Sequence, residues 1–319
     1  MKNKKNTLVT LDKFIEESLY NKEHGYYMKK NPFGKSGDFI TAPSISVLFS
    51  EMIAIWVISF WESLDCPRQF NLIELGAGSG EMMKILVRTF NKFPKFKNSC
   101  KINILEKSQL LQQVQKINIK DAKIKWLDDL SELNNFPCIF IANEFFDALP
   151  IKQFLKKEKK WYERHVKFTS DKKLEYLDVL FDMQKFEREI KFKISYNQKF
   201  IEYSPLATKY LEIIIKKIKL NGGGVLIIDY AYVEREMKNT LQAVSKHKYC
   251  DVLKSFRNSD ITYNLSFNLI NKIIKKLGPC SSLSTTQKKF LTKLGILDRA
   301  EILSKNMLFS EKADIYFRI

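Results

Sequence analysis

The chain has 319 residues, of which 45% are hydrophobic and 28% charged, and it carries a formal net charge of +18. This composition is typical of a folded globular protein and argues against long disordered stretches. No apolar run approaches the roughly eighteen residues that predict a transmembrane helix. The basic N-terminus is not followed by the apolar core of a secretory signal, so none is expected.

The cysteines indicate a reducing compartment, and neither they nor the histidines indicate a metal site. Five cysteines are scattered along the chain without a Cys-x-x-Cys pair, and the three histidines lie far apart. This pattern predicts neither a disulfide framework nor a metal site.

The excess of basic residues is compatible with a nucleic-acid partner, but the predominance of Lys over Arg argues against one. Only eight of the 54 basic residues are Arg, whereas specific nucleic-acid sites usually use Arg for bidentate contacts. A generally basic surface is the favoured interpretation, no dedicated nucleic-acid module is expected, and an acidic protein partner stays open.

In chain order, the sequence first predicts an N-terminal helical region. Apolar residues at helical spacing predict a helix over 8–21, and a strongly apolar helix is predicted over 44–61. Between them lies a loop rich in glycine and aromatic residues. Four strands then alternate with helices over residues 71–142. That order predicts a mostly parallel sheet with helical crossovers.

The alternation of strands and helices ends after residue 150. Short alternating runs over 154–181 predict antiparallel strands, and a helix over 204–220 and a fifth parallel strand over 225–230 follow. Two more helices (267–277 and 286–294) and a closing strand (313–319) complete the predicted elements. We divide the chain into N-terminal helices with a covering loop (1–65), a Rossmann-like domain (66–150 and 200–319) and an inserted β-rich subdomain (151–199).

A glycine-rich turn follows the first strand of the predicted sheet. Glu74 precedes glycines at positions 76, 78 and 80, so Gly76, Gly78 and Gly80 fall at first, third and fifth positions. A dinucleotide site needs its third glycine at the sixth position, which here is Glu81. The spacing therefore favours S-adenosylmethionine (SAM) over NAD, with Glu74 orienting the amino-acid end of the ligand.

Two acids follow the next strands. Glu106 ends the second strand, where nucleotide-binding folds place an acid that accepts hydrogen bonds from the ribose hydroxyls. Asp128 ends the third strand, where a carboxylate can accept from the adenine amino group. The alternatives are a surface ion pair for Glu106 and a solvated acidic loop for Asp128.

The fourth strand leads into a polar and aromatic segment over 143–150. Its acids, Glu144 and Asp147, flank two phenylalanines and could hold a guanidinium group by bidentate hydrogen bonds while the rings stack on it. The alternative is a helix N-terminus whose acids favour the helix dipole.

Seven segments together resemble one family, the MidA-like class I methyltransferases. They are Gly-Tyr-Tyr-Met at 25–28, Phe-Gly-Lys-Ser-Gly-Asp-Phe-Ile-Thr-Ala-Pro at 33–43, the glycine turn at 74–80, the segment at 143–150, Ile-Ile-Asp-Tyr at 227–230, Thr-Leu-Gln-Ala at 240–243 and Gln-Lys-Lys-Phe-Leu at 287–291. They run in family order over nearly the whole chain. The chain departs from the family at Ala77 and Ser79 (usually Pro and Arg) and at Asn264 and Ser266 (often His and Asp).

The resemblance implies the remaining site residues. The 34–43 loop would cover the SAM site with Gly37, Thr41 and Pro43, and Asp38 would be a further candidate for catalysis. Asn143 would line the same site.

The resemblance also implies the substrate. The expected reaction is methyl transfer to an arginine of a protein, namely a core hydrophilic subunit of respiratory complex I. The corresponding compartment is the bacterial cytoplasm or the mitochondrial matrix, and a homodimer is one possible assembly.

Two alternative functions stay open besides methylation of a protein arginine. One is a SAM-binding assembly factor that holds its partner with little turnover. The other is a methyltransferase of RNA or of a small molecule.

Overall fold

The computed structural model describes residues 7–32, 46–120, 123–171 and 173–317. The described strands are β1 (Thr7–Thr10), β2 (Phe70–Leu75), β3 (Cys100–Leu105), β4 (Lys125–Leu127), β5 (Cys138–Asn143), β6 (Lys152–Lys157), β7 (Lys160–Phe168), β8 (Leu174–Phe181), β9 (Phe200–Tyr203), β10 (Gly223–Ile228), β11 (Ala231–Tyr232), β12 (Gln242–Ser245), β13 (Lys248–Cys250), β14 (Asp260–Thr262) and β15 (Leu265–Ser266). The described α-helices are α1 (Leu11–Tyr20), α2 (Tyr26–Lys29), α3 (Val47–Ser63), α4 (Glu81–Phe90), α5 (Pro94–Ser99), α6 (Gln109–Ile119), α7 (Met183–Glu189), α8 (Pro205–Asn221), α9 (Phe267–Lys276), α10 (Gln287–Lys293), α11 (Ile296–Ser304) and α12 (Phe309–Phe317).

The described residues form two compact units. The parallel-sheet unit takes its residues from 31–143, 214–228 and 281–319, and the antiparallel-sheet unit takes them from 1–30, 144–213 and 229–280. The chain passes from one unit to the other after Lys30, after Asn143, inside α8, after Ile228 and after Cys280.

The parallel-sheet unit is built on five parallel strands in the order β10-β5-β2-β3-β4. The central strand β2 is buried at all six positions, as expected for a parallel strand covered on both faces. Its core includes Trp61 of α3, Phe70 of β2 and Leu86 of α4. Because the strands are parallel, their carboxyl ends meet at one edge, where such sheets bind ligands.

The antiparallel-sheet unit holds strands β1, β7, β6 and β9 in that order, with β8 paired to β7. The long strand β7 pairs with β8 over eight residues, from Trp161 opposite Phe181 to Phe168 opposite Leu174. The same unit contains a small sheet ordered β13-β12-β14 and a parallel pair of β11 and β15.

The predicted fold is confirmed. The sheet is parallel, helices alternate with its strands, and antiparallel strands follow β5. Helices α8, α9 and α10 match the helices predicted over 204–220, 267–277 and 286–294. Ser266 and Thr286 cap α9 and α10 through their side chains, which fixes where these two helices begin.

Two sequence predictions are wrong. The helix expected from residue 8 begins at Leu11, because Thr7–Thr10 pairs with β7 and its backbone hydrogen bonds go to that strand. Residues 313–317 of the closing strand expected over 313–319 belong instead to helix α12, Phe309–Phe317, and residues 318–319 lie outside the described residues. The Glu311 carboxylate accepts the Leu308 N–H at 2.9 Å at the start of α12. A short apolar run fits either structure, and periodicity alone does not separate them.

The three-segment division stays a prediction, and the compact units have different boundaries. Strands β1 and β9 lie outside residues 151–199, yet they pair with β7 and β6 of the antiparallel sheet. The predicted start of the second helix at Ser44 lies outside the described residues. Within the described ranges, no helix is long and apolar enough to cross a membrane.

Candidate active site

The glycine turn connects β2 to α4 with a left-handed backbone. Gly76, Gly78 and Gly80 have φ angles of 69°, 54° and 82°, which residues with a Cβ rarely adopt. The Gly76 N–H donates to the Leu105 carbonyl at 3.0 Å, and the Gly80 N–H donates to the Ala77 carbonyl at 2.8 Å. A Cβ on Gly80 would lie 3.2 Å from Ile119 Cδ1. Glycine is therefore required here for conformation and for close packing.

Glu74 lies within β2, two residues before the turn, and is 2% exposed. Its Oε2 has no hydrogen-bond partner among the described residues. Burial, reinforced by the charge of Glu106, raises the pKa of the Glu74 carboxyl from 4.5 to about 8. A buried acceptor without a partner is destabilising, so this atom suits a donor or a cation brought by a ligand.

Glu106 directly follows β3. Its Oε1 accepts the Ser108 N–H at 2.9 Å, and its Oε2 accepts from Gln115 Nε2 at 3.0 Å. Burial raises the pKa of this carboxyl to about 7, against these donors, which lower it. A hydrogen bond from the Lys107 backbone lowers this pKa as well. A carboxylate has about four lone-pair sites, so Glu106 can still accept about one further hydrogen bond.

Gln115 was not predicted from the sequence as a site residue. It lies on α6, is fully buried, and contacts both Glu106 and the carbonyl of Gly78. Helical spacing gave no signal for it, because a glutamine among polar residues on a surface helix looks solvated.

Asp128, the acid predicted to contact the adenine, is followed by a second acid, Asp129. Asp129 caps the short 3-10 helix Leu130–Glu132 through its side chain. Asp128 is exposed after β4, and its N–H donates to Glu132 Oε1 at 2.8 Å. Asp128 is therefore the one of the pair whose carboxylate is not engaged in that cap.

Asn143 ends β5, and its buried Oδ1 has no hydrogen-bond partner within the described part of the chain. The residues predicted for the covering loop are Gly37, Asp38, Thr41 and Pro43, and they lie outside the described residues.

An acidic cluster lies in the antiparallel-sheet unit and consists of Glu144, Asp147, Asp229 and Asp260. Asp147 is 6% exposed, and its Oδ1 has no hydrogen-bond partner among the residues described. Burial, followed by the charges of Asp229, Asp260 and Glu144, raises the pKa of Asp147 well above its usual value. Glu144 has a φ of 49°, a strained conformation for a residue with a side chain.

Asp229 holds the backbone of the 144–147 turn. Its Oδ2 accepts the N–H groups of Phe146 and Asp147 at 3.1 and 3.3 Å, and burial raises its pKa to about 7. Asp229 belongs to the Ile-Ile-Asp-Tyr segment at 227–230 but was not predicted as a site residue. It directly follows β10, and the rule that ligands bind at the carboxyl ends of strands could have identified it.

Tyrosines border the acidic cluster. The Tyr27 hydroxyl donates to Asp260 Oδ1 at 2.7 Å. Tyr230 and Tyr249 are 60% and 78% exposed. The charge of Glu144 is the largest cause that raises the pKa of Tyr230 to about 12. Exposed aromatic rings beside buried carboxylates form a surface that suits a flat cation.

Residues 52–285 match a family described as putative S-adenosyl-L-methionine-dependent methyltransferases. The chain belongs to this family. The predicted enzyme class, a methyltransferase, and its predicted cofactor, SAM, are thereby confirmed.

Two similar proteins, from Xenopus tropicalis and Homo sapiens, are named "Protein arginine methyltransferase NDUFAF7, mitochondrial". Each is 28% identical to this chain, and each match covers 92% of the chain and 74% or 72% of the relative. A solved structure from Burkholderia thailandensis, described as a likely methyl transferase bound to S-adenosyl-homocysteine, has a TM-score of 0.82. It is 21% identical and covers 97% of this chain and 82% of its own, so it supports the fold.

The residues of the parallel-sheet unit fit SAM. Unpartnered acceptors on Glu74 and Asn143 suit the amino-acid end, which carries an ammonium group. The acceptor position that remains on Glu106 suits a ribose hydroxyl. In the described residues, no group of three or more His, Cys, Asp or Glu side chains could hold a metal ion.

Proposed function

We propose that this protein transfers a methyl group from SAM to an arginine of a protein, and that the substrate is a core hydrophilic subunit of respiratory complex I. The observation that carries the proposal is the buried, unpartnered Oδ1 of Asp147, which has three other carboxyls as electrostatic neighbours. Such a cluster is unfavourable by itself, and a bound cation with several N–H donors would relieve it.

The cofactor would be held by the parallel-sheet unit. We assign Glu74 and Asn143 to the amino-acid end, the glycine turn to close backbone approach, Glu106 to the ribose and Asp128 to the adenine. We keep Gly37, Thr41 and Pro43 as proposed contacts of the covering loop.

The guanidinium group would be held by the acidic cluster. Arg presents five N–H donors in a planar fork, which matches carboxylates in bidentate pairs. Glu144 and Asp147 are the proposed catalytic residues, with Asp229 fixing the backbone that carries them. Asp38 stays a proposed third carboxylate. The exposed rings of Tyr230 and Tyr249 could stack on the same cation.

The chemistry requires orientation and removal of one proton. SAM supplies a methyl group on a sulfonium sulfur and leaves as S-adenosylhomocysteine. The accepting nitrogen forms the new N–CH₃ bond and must lose a proton to regain its usual charge. A carboxylate hydrogen-bonded to the guanidinium orients the nitrogen and accepts that proton, so positioning supplies much of the acceleration.

The printed names of the relatives support the choice of arginine, and they also describe those proteins as mitochondrial. We propose the mitochondrial matrix or the bacterial cytoplasm as the compartment, since respiratory complex I is assembled at membranes facing these spaces. A homodimer stays a proposal.

The test uses the full-length protein, purified complex I subunits and SAM with a deuterated methyl group. Peptide mass spectrometry should find the labelled methyl on an arginine of one subunit. The matched control is Gly78→Val, which should leave the label on SAM. We expect no label in a reaction that contains this variant.

Other outcomes would select the alternatives. Stable binding of a subunit without any label, with normal complex assembly, would favour a SAM-binding holder. Label that appears in RNA or in a small molecule, and not in protein, would overturn the protein substrate.

A further inference from the structure

Gln115 joins three parts of the cofactor site. Its Nε2 donates to the Gly78 carbonyl at 2.9 Å and to Glu106 Oε2 at 3.0 Å. Its Oε1 accepts from Trp126 Nε1 at 2.9 Å. These partners belong to the glycine turn after β2, the end of β3 and strand β4, so one side chain on α6 contacts three neighbouring elements.

The amide of Gln115 has only one orientation that satisfies its neighbours. Both hydrogens of Nε2 face acceptors, and Oε1 faces the indole N–H of Trp126. A flipped amide would set its oxygen against a carbonyl and a carboxylate and its NH₂ against an N–H. Because Gln115 is 0% exposed, no solvent can compensate such a flip.

The hydrogen bonds also fix the direction of the turn. In a trans peptide, the carbonyl and the following N–H point in opposite directions. With the Gly78 carbonyl directed to Gln115, the N–H of Ser79 points away from α6. Asn118 holds the next carbonyl, that of Ser79, at 2.9 Å in the same way.

We propose that Gln115 is a positioning residue for SAM, which holds the ribose-binding carboxylate of Glu106 and the glycine turn at one fixed separation, with Trp126 locking the amide. The inference rests on the cofactor contacts of the proposed function and is independent of the arginine substrate. If the inference on Gln115 is wrong, the proposal that arginine is the methyl acceptor is therefore not affected.

The hydrogen bond from Gln115 also influences ionisation. It lowers the pKa of Glu106 against the effect of burial, which leaves that pKa at about 7. Removal of the donor should raise the pKa of Glu106. The carboxyl would then stay protonated at neutral pH and would accept from the ribose hydroxyls less well.

The experiment measures binding by calorimetry with two probes, S-adenosylhomocysteine and its analogue without the two ribose hydroxyls. Gln115→Leu should weaken S-adenosylhomocysteine about tenfold or more, as expected when a hydrogen bond to a charged group is lost. The analogue should bind the variant and the wild type within about twofold. As pH is lowered, the variant should also lose affinity for S-adenosylhomocysteine at a higher pH than the wild type does, because its Glu106 takes up a proton earlier.

The matched control is Gln113→Leu, the same substitution on the exposed side of α6, which should bind both probes as the wild type does. Trp126→Phe keeps an aromatic ring but removes the indole N–H that locks the amide, and it serves if Gln115→Leu does not fold. It should weaken S-adenosylhomocysteine about threefold, the loss of a neutral hydrogen bond, and should spare the analogue. Unchanged binding in both folded variants, or equal losses for the two probes, would overturn the proposal.

Discussion

Buried carboxyls occur in both units, but their surroundings differ. In the parallel-sheet unit, Glu106 accepts hydrogen bonds from the neutral donors of Ser108 and Gln115. In the antiparallel-sheet unit, Asp147 has carboxyls as its main electrostatic neighbours. Neutral donors can preorganise a site before its ligand arrives, whereas a group of like charges is strained until a cation neutralises it. We therefore propose a preorganised cofactor site in the parallel-sheet unit and a cation-dependent site in the antiparallel-sheet unit.

The largest effect is expected at the glycine turn. Gly78→Val places a branched side chain at a φ of 54° where the backbone should approach the cofactor. SAM affinity should fall more than about a thousandfold while the protein stays folded, since a single backbone strain costs roughly 1–3 kcal/mol. Calorimetry measures this fall.

Its control is Gly222→Val, at a glycine with a φ of 81° and open space around its Cβ position. It imposes similar strain at the end of α8, far from the turn in sequence, and should leave SAM affinity unchanged. Equal SAM affinity in a folded Gly78→Val protein would remove the turn from the cofactor site.

A second effect concerns pH and stability without the cofactor. Below about pH 4.5 Glu74 is protonated in both the folded and the unfolded protein. Between 4.5 and about 8 only the unfolded chain releases this proton, because burial raises the folded pKa to about 8. The free energy of unfolding should therefore fall by about 5 kcal/mol as pH rises through this window.

Glu74→Gln should make this decline shallower, while Glu106 and Asp229, whose pKa values are also raised, keep part of it. Chemical denaturation at several pH values measures the slope. Glu81→Gln, at a residue paired with Lys84 at 3.3 Å on the surface of α4, is the control and should keep the decline. Saturating SAM should also reduce it, since an ammonium group beside Glu74 favours the ionised form. A slope that is unchanged in Glu74→Gln would contradict the assignment.

A third effect tests the acidic cluster. Glu144→Gln keeps the shape of the side chain and removes its charge, so SAM affinity should stay within about twofold while methyl transfer falls about a hundredfold. Methylation of the protein arginine is read beside SAM affinity. Glu175→Gln, at an exposed residue of β8 paired with Lys167, should retain full transfer. Full transfer by Glu144→Gln would take Glu144 off the list of catalytic residues.

The smallest effect is expected at the ribose. Glu106→Ala removes two charged acceptors and should weaken SAM roughly tenfold or more, within the 1.5–3 kcal/mol typical of hydrogen bonds to charged groups. Glu62→Ala on the exposed side of α3 is the matched surface change. A loss below about twofold in the Glu106 variant would leave its carboxylate with only the role of binding Ser108 and Gln115.

Much of the fold could be predicted, because its signals are local. The glycine turn, the strand ends and the capped helices α9 and α10 each depend on a few consecutive residues. Predictions failed at the chain ends. There the choice between strand and helix depended on a partner far away in sequence, as for Thr7–Thr10 and β7.

The sequence by itself determined the family and the cofactor. It also predicted Glu74, Glu106, Glu144 and Asp147 as site residues, since each follows a strand pattern or a spaced motif. Only the tertiary structure decided which polar groups support them. The Gln115 side chain joins the Gly78 carbonyl to Glu106, and the Asp229 carboxylate holds the backbone of the 144–147 turn. These contacts connect residues 9 to 83 positions apart, and burial, which sets the pKa of each carboxyl, is a property of packing that no local pattern contains.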